Sequence, residues 1–245
     1  MGLQEKIAQA KDIVQQSRNI VFFGGAGVST ASGIPDFRSA TGLYNQAAHT
    51  QYSPEYMLSH EFLQLHPDEF SDYVRNHLIY PQAEPNGAHL ALAALERRGT
   101  LRAVITQNID GLHQKAGSRR VFELHGNLTD YYCTRCGTSV ASERFFDATG
   151  VFRCPECGGT VRPDVVLYGE PLNGSVLEQA VEAIREADTF IVGGSSLVVY
   201  PAAGLLNYYR GNRLILINES VTPADRRADI VLHGDISAIL PQLVM

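Results

Sequence analysis

Between about Gln4 and Ser17, the apolar positions Ile7, Ala8, Ala10, Ile13 and Val14 recur at helical spacing, and the run Ile20-Val21-Phe22-Phe23 then ends in Gly24-Gly25. This order predicts a helix, a buried strand and a glycine turn. Short apolar runs of the same kind return at Leu101–Ile105, Val121–Leu124, Val165–Leu167, Thr189–Val192, Leu214–Ile217 and Asp229–Leu232. Most are separated by helical stretches, among them Val176–Ala187 and Ala202–Tyr209. Strands alternating with amphipathic helices predict an α/β fold with a mostly parallel sheet covered on both faces, because parallel crossovers place helices there. A ligand is then expected beyond the carboxyl ends of the strands.

Two stretches break the alternation. From about Ala40 to Glu84 the chain is rich in aromatic residues, His and Pro, and from about Asp130 to Thr160 it is short, polar and holds all four cysteines. Both are expected to be insertions that form a smaller lobe. Residues 40–84 then supply a helical module and 130–160 a metal ribbon, while 1–39, 85–129 and 161–245 make the large domain.

Composition narrows the class. A chain of 245 residues, 44% hydrophobic and 19% charged, can bury a proper core, which excludes wholesale disorder and a charged coiled coil. The net charge of -6 comes with basic residues in isolated pairs such as Arg97-Arg98, so no electrostatic footprint for nucleic acid is expected. No apolar run is long enough to span a membrane, and the charged N-terminus lacks a signal core. The cytoplasm is the expected compartment, and its reducing conditions require an explanation of the cysteines other than disulfides.

Cys133-x-x-Cys136 is followed after 17 residues by Cys154-x-x-Cys157, each pair with glycine beside its second cysteine. Two such knuckles predict a tetrahedral zinc site; a redox dithiol needs only one pair. Four thiolates leave no open position on the metal, so the zinc is expected to be structural. It stands in for a core that so short an insertion cannot build.

The loop after the first strand, Gly24-Gly25-Ala26-Gly27-Val28-Ser29-Thr30-Ala31-Ser32-Gly33, lets backbone amides approach a phosphate. Thr30 stands where the dinucleotide fingerprint has its third glycine, and Tyr44 to Thr50 lacks the acidic residue that would hold a ribose. Asn218-Glu219 and Gly194-Ser195-Ser196, each after a buried strand, are candidates for the remaining nucleotide contacts, although each alone also reads as a turn or a cap. Thr106-Gln107-Asn108-Ile109-Asp110-Gly111-Leu112-His113 and Leu124-His125-Gly126-Asn127 follow two further strands. His125, between the nucleotide fold and the metal lobe, is the candidate general base.

Together these pieces resemble the sirtuins, the NAD-dependent protein deacylases. The resemblance rests on Gly25-Ala-Gly-Val-Ser-Thr-Ala-Ser-Gly-Ile-Pro-Asp-Phe-Arg38, Thr106 to His113, His125-Gly-Asn127, the four cysteines, Arg162-Pro163 with Gly169-Glu170, and Gly194-Ser-Ser-Leu-Val-Val-Tyr-Pro201. It implies a Rossmann-like domain beside a zinc-ribbon and helical lobe, with NAD and an acyl-lysine peptide entering one cleft. NAD is then consumed: nicotinamide leaves, and the acyl group of acetyl-lysine ends on ADP-ribose as the 2′-O-acetyl ester.

The resemblance also assigns residues. His125 is implied as the base, with Asn108 and Asp110 beside the nicotinamide and its ribose and Ile109 and Gln107 close by. Gly25, Ala26, Gly27, Thr30, Asp36, Phe37 and Arg38 are implied around the cofactor, and Gly194, Ser195, Ser196, Asn218, Glu219 and Asp235 toward its adenosine half. Val166, Tyr168, Gly169, Glu170 and Val199 are implied along the peptide. Sirtuins that prefer acidic acyl groups carry Tyr and Arg three positions apart; here Tyr73 and Arg75 are two apart, which implies a neutral acyl group. Mono-ADP-ribosyl transfer and a non-catalytic NAD sensor are the competing readings.

Overall fold

The computed structural model describes residues 2–36, 42 and 51–244. The first apolar run forms β1 (Ile20–Gly24), buried at every position. Next come β2 (Leu101–Thr106) and β3 (Val121–Glu123), then β4 (Gly126–Cys133), β5 (Ser139–Val140) and β6 (Val161–Val165), and finally β7 (Thr189–Gly193), β8 (Leu214–Asn218) and β9 (Ile230–His233). Six of them make one sheet in the order β3-β2-β1-β7-β8-β9, and β5-β4-β6 make a second. All neighbours in the large sheet run parallel.

Alternation along β1 explains the two cores. Ile20 and Phe22 face one cluster with Ile7, Ala10 and Val14 of α1 (Leu3–Gln16), Leu92 of α2 (Gly87–Arg97) and Leu240 of the C-terminal helix. Val21 and Phe23 face the other, with Ala180, Ala183 and Ile184 of α3 (Gly174–Glu186). The period of two along a strand thus puts helices on both faces. The C-terminal helix, α4 (Ile236–Val244), packs on α1 and α2 and closes the first cluster.

The apolar run Val165–Leu167 does not join the parallel sheet as expected. Val165 ends β6, which pairs antiparallel with β4, and Val166 and Leu167 continue past it toward the cleft. A short apolar run carries no mark of which sheet it will enter, and here the partner strand decides. The three-stranded sheet therefore extends on both sides of residues 130–160. The stretch Ala202–Tyr209 is helical, but as a 3-10 helix over Ala202–Tyr208.

A third cluster joins the insertions. Phe62, Phe70 and Val74 of the helical segment pack with Tyr131, Cys133, Phe145, Cys154 and Val161 of the metal lobe, and with Leu58, Leu78, Val165 and Leu167 at its edge. Fully buried aromatics of this kind contribute roughly 1.5–3 kcal/mol each relative to exposure. Among the described residues no helix is long and apolar enough to cross a membrane.

Candidate active site

The strand order places a crevice between β1 and β7, where successive connections leave the sheet in opposite directions. Gly24 lies opposite Gly193 across this pair. The loops that follow interlock: Gly27 N–H donates to the Gly194 carbonyl at 2.8 Å. A Cβ on Gly25 would stand 3.0 Å from the Gly194 oxygen, and one on Gly27 2.9 Å from the Gly194 Cα. Gly194 itself has φ +59. Side chains are excluded here by contact between two backbones, so a ligand can approach the main chain of both loops closely. Thr30, in the place of the third fingerprint glycine, returns its hydroxyl to the Gly27 carbonyl at 3.1 Å.

The segment after β2 carries a connected polar cluster. Gln107 donates its backbone N–H to Gly24 O at 3.0 Å and its side-chain amide to Ser195 Oγ at 3.0 Å, tying the ends of β1, β2 and β7 together. Ser195 Oγ also accepts from Leu197 N–H at 3.3 Å. Asn108 donates to Ser29 Oγ at 3.0 Å, and Ser29 donates to Asp110 Oδ2 at 2.7 Å. The other Asp110 oxygen receives the Leu112 N–H at 2.9 Å.

His125 follows β3 and is half-buried at the junction of the two lobes. Its Nδ1 lies 2.9 Å from the Gln107 carbonyl oxygen, which can only accept, so Nδ1 carries the hydrogen and Nε2 keeps its lone pair. Burial pushes the imidazole pKa below its ordinary value, against the opposing pull of the Gln107 bond. The backbone carbonyl of His125 accepts from Val166 N–H at 2.9 Å. Gly126, at φ +72, sits against Asp164 so closely that any Cβ would overlap the Asp164 carbonyl oxygen. The turn that presents His125 therefore requires glycine.

A cavity of about 310 Å³ collects these groups. Gly25, Ala26, Gly27 and Asp36 line it with Gln107, Asn108, Ile109, His125, Gly194, Ser195 and Ser196, and so do Val166, Tyr168, Gly169, Glu170 and Val199. Thr30, Asp110, Asn218, Glu219 and Asp235 do not line it. Asp110 stands behind Asn108 through Ser29, Asn218 ends β8, and Asp235 caps α4 by accepting from Ser237 N–H at 2.8 Å. Phe37 and Arg38 lie outside the described residues. The cavity adds Leu58, Leu78 and Leu172, which the sequence did not single out, and Val165, Leu167, Tyr200 and Pro201, which lie in runs and motifs read from the sequence but were given no site role. No local pattern marks Leu58 or Leu78, whose role comes from packing across the lobes.

Tyr73 and Arg75 are not at the cavity. The Arg75 guanidinium donates to Asp72 Oδ1 at 2.8 Å, to the Phe145 carbonyl at 3.1 Å and to the Gly150 carbonyl, bracing the helical segment against the metal lobe. Tyr73 is buried, and that burial pushes its phenol up to about 12.

The four cysteine sulfurs all lie within 4.8 Å of one another, with Cys133 and Cys157 Sγ 3.4 Å apart and Cys136 and Cys154 Sγ 3.7 Å apart. Bonds of about 2.3 Å to a tetrahedral zinc require sulfurs about 3.8 Å apart, so the set fits one ion. Backbone N–H groups of Arg135 and Gly159 point at Cys133 and Cys157 Sγ, each at 3.4 Å, as thiolates require.

Residues 25–201 match the Sir2 family. A protein of Clostridium perfringens described as an NAD-dependent protein deacetylase is 53% identical over 243 residues, covering 99% of this chain and 100% of that protein. One of Cutibacterium acnes with the same description is 54% identical over 227 residues, with 93% of each chain covered. Among solved structures, Sir2 with a p53 peptide and NAD+ superposes with a TM-score of 0.84 at 38% identity, covering 99% of this chain and 97% of that one. A Sir2 enzyme bound to a propionylated peptide superposes at 0.85 and 39%, with 97% of each covered.

Proposed function

The chain belongs to the Sir2 family, and from that premise we propose that it is an NAD-dependent protein lysine deacetylase acting through His125. The observation that carries the reading is the tautomer of His125: Nδ1 is committed to Gln107 and Nε2 is left basic at the meeting point of the glycine loops and the Val166–Glu170 segment. NAD, when bound, supplies an electrophilic anomeric carbon and the ribose hydroxyls that accept the acyl group. Gly25, Ala26, Gly27, Gly194 and Ser195 would surround it, their small size allowing close approach, with Gln107, Asn108 and Asp110 near its nicotinamide half. The crowded glycine cradle and the Ser29-linked amide and carboxylate fit such a ligand.

Neutral His125 takes a proton from a hydroxyl at Nε2, and its Nδ1–H bond to Gln107 strengthens as the imidazolium forms. Leu58, Leu78, Ile109, Val165 and Leu167 give the cavity an apolar wall, which suits the stem of an acyl-lysine. With Arg75 held by Asp72, Phe145 and Gly150, no cation from that helix is offered to an acyl carboxylate, which supports a neutral acyl group. The four-cysteine site would take structural zinc. An acidic chain without a basic stripe favours acetylated proteins over nucleic acid or anionic membranes as partners.

Mass spectrometry of the protein with NAD and either acetyl-lysine or succinyl-lysine peptide tests this. Nicotinamide and acetyl-ADP-ribose from the acetyl peptide alone are expected. ADP-ribose left on protein would favour the transferase reading, and no turnover the sensor.

A further inference from the structure

Arg162 and Glu170, two pieces of the sequence pattern, have no part in the chemistry above, yet among the described residues they form the most enclosed ion pair. Arg162, on β6, is 3% exposed. Its guanidinium forks onto Glu170, Nη1 to Oε1 at 2.6 Å and Nη2 to Oε2 at 3.1 Å, and lies 5.9 Å from the centre of the Tyr132 ring. It also donates to the Pro163 carbonyl at 3.2 Å and to the Val165 carbonyl.

Glu170 is equally committed. Oε2 accepts the Leu167 N–H at 2.9 Å and Oε1 contacts His60 Nδ1 at 2.8 Å. Burial pushes the Glu170 carboxyl up, but the bonds from Arg162, Leu167 and His60 outweigh it and hold the group below its usual range. Its oxygens are filled by the protein, so a peptide is not read by this charge.

The consequence falls on the backbone between the two residues. Val165 is held by Arg162, Val166 N–H by the His125 carbonyl at 2.9 Å, and Leu167 by Glu170. Tyr168 N–H donates to Leu58 O at 2.9 Å and its carbonyl accepts from His60 N–H at 3.0 Å. Gly169 follows at φ +89, with open space around it and its N–H unpaired among the described residues. The Leu167 carbonyl in turn accepts from Glu170 N–H at 2.9 Å, which leaves the Val166 carbonyl and Gly169 as the open backbone groups of an extended segment that binds a peptide without first having to be ordered.

We propose that Arg162 is a positioning residue for peptide binding: through Glu170 it fixes the backbone of Val165–Gly169 as a preformed edge for the acyl-lysine peptide, touching neither peptide nor NAD. This rests on the deacetylase reading. Lys at 162 keeps the charge but cannot supply the planar fork.

The test compares wild type, Arg162→Lys and the double variant Arg162→Met/Glu170→Gln, which removes both charges from the interior together. Binding of a fluorescein-labelled acetyl-lysine peptide by anisotropy, NAD binding by calorimetry and amide hydrogen exchange at Leu167 are the readouts. Arg162→Lys is expected to weaken peptide binding about tenfold, leave NAD binding within about twofold and speed Leu167 exchange. Peptide affinity within about twofold of wild type despite faster exchange, or parallel loss of peptide and NAD affinity, would overturn the proposal. Should Arg162→Lys fail to fold, the same criteria apply to the double variant. Failure of the wild type to turn over the peptide with NAD would count against the deacetylase reading itself, while Leu167 exchange would still report whether Arg162 holds the loop.

Discussion

The Ser29 hydroxyl donates to Asp110 Oδ2 at 2.7 Å while accepting from the Asn108 amide at 3.0 Å, so one buried oxygen joins the first glycine loop to both polar residues after β2. Ser29→Ala strips each of a partner, at a cost of about 1–3 kcal/mol. An NAD KM raised about tenfold is expected, with the peptide KM little changed. Steady-state kinetics at saturating peptide check this, and an unaltered NAD KM would show that the link has no part in cofactor use.

His125→Ala is expected to bind NAD as the wild type does by calorimetry and to lose about 10²–10⁴-fold in acetyl-lysine turnover. The pH profile offers an independent check. Burial lowers the His125 pKa from 6.5, so the neutral base persists into more acidic solution, and the acid limb of kcat/KM should fall below pH 6.5. A limb centred above that value contradicts the assignment.

Acid should also weaken the fold itself through two other histidines. His89 and His113 meet ring to ring, with centroids 4.7 Å apart. Burial lowers their pKa values to about 4 and about 3, with Asp110 opposing the shift at His89 and His89 adding to it at His113. Unfolded chains bind protons below about pH 6.5 where the native state does not, so stability falls from there until the native groups themselves titrate. By pH 5 the loss is about 2 kcal/mol per histidine. Urea denaturation at pH 7.5 and pH 5 should show it, and His113→Leu should remove about half; equal midpoints at the two pH values would refute the argument.

Zinc is expected at one ion per chain. Cys133 and Cys154 belong to the same buried cluster as Leu58, Leu78, Val165 and Leu167, which line the cavity. Stripping the metal with a strong chelator should lower the Tm and abolish deacetylation, with peptide affinity lost before NAD affinity. Full activity in protein shown by atomic absorption to be zinc-free would rule out this structural role.

Much of this site is legible in the linear chain because its chemistry sits directly after apolar strands: Gln107 and Asn108 after β2, His125 after β3, Ser195 after β7. What escapes is set by distance along the chain. Ser29 lies inside a glycine loop and reads as spacing, until the fold brings Asn108 and Asp110 to it. Leu58 and Leu78 look like ordinary core residues and become cavity wall only through the contact of two lobes. The helix α4 carries its buried residues at helical spacing, Ile236, Ile239, Leu240, Leu243 and Val244, but Pro241 within it argues against a helix in the linear chain. Asn218 stood out by following a buried strand and Asp235 only through the resemblance; in the structure Asn218 Nδ2 donates to the Ser220 carbonyl and Asp235 Oδ1 accepts from Ser237 N–H.

The pairing of β1 with β7, Ile20 to Thr189 through Gly24 to Gly193, joins strands separated by most of the chain. During synthesis β1 emerges early, can find β2 only after the helical insertion has been made, and keeps its other edge bare while the metal insertion is translated. That edge is wholly apolar, the kind that recruits neighbouring nascent chains. The N-terminal part of the protein is therefore no autonomous folding unit: a ribosome that stalls before Thr189 releases a sticky fragment, not a smaller enzyme.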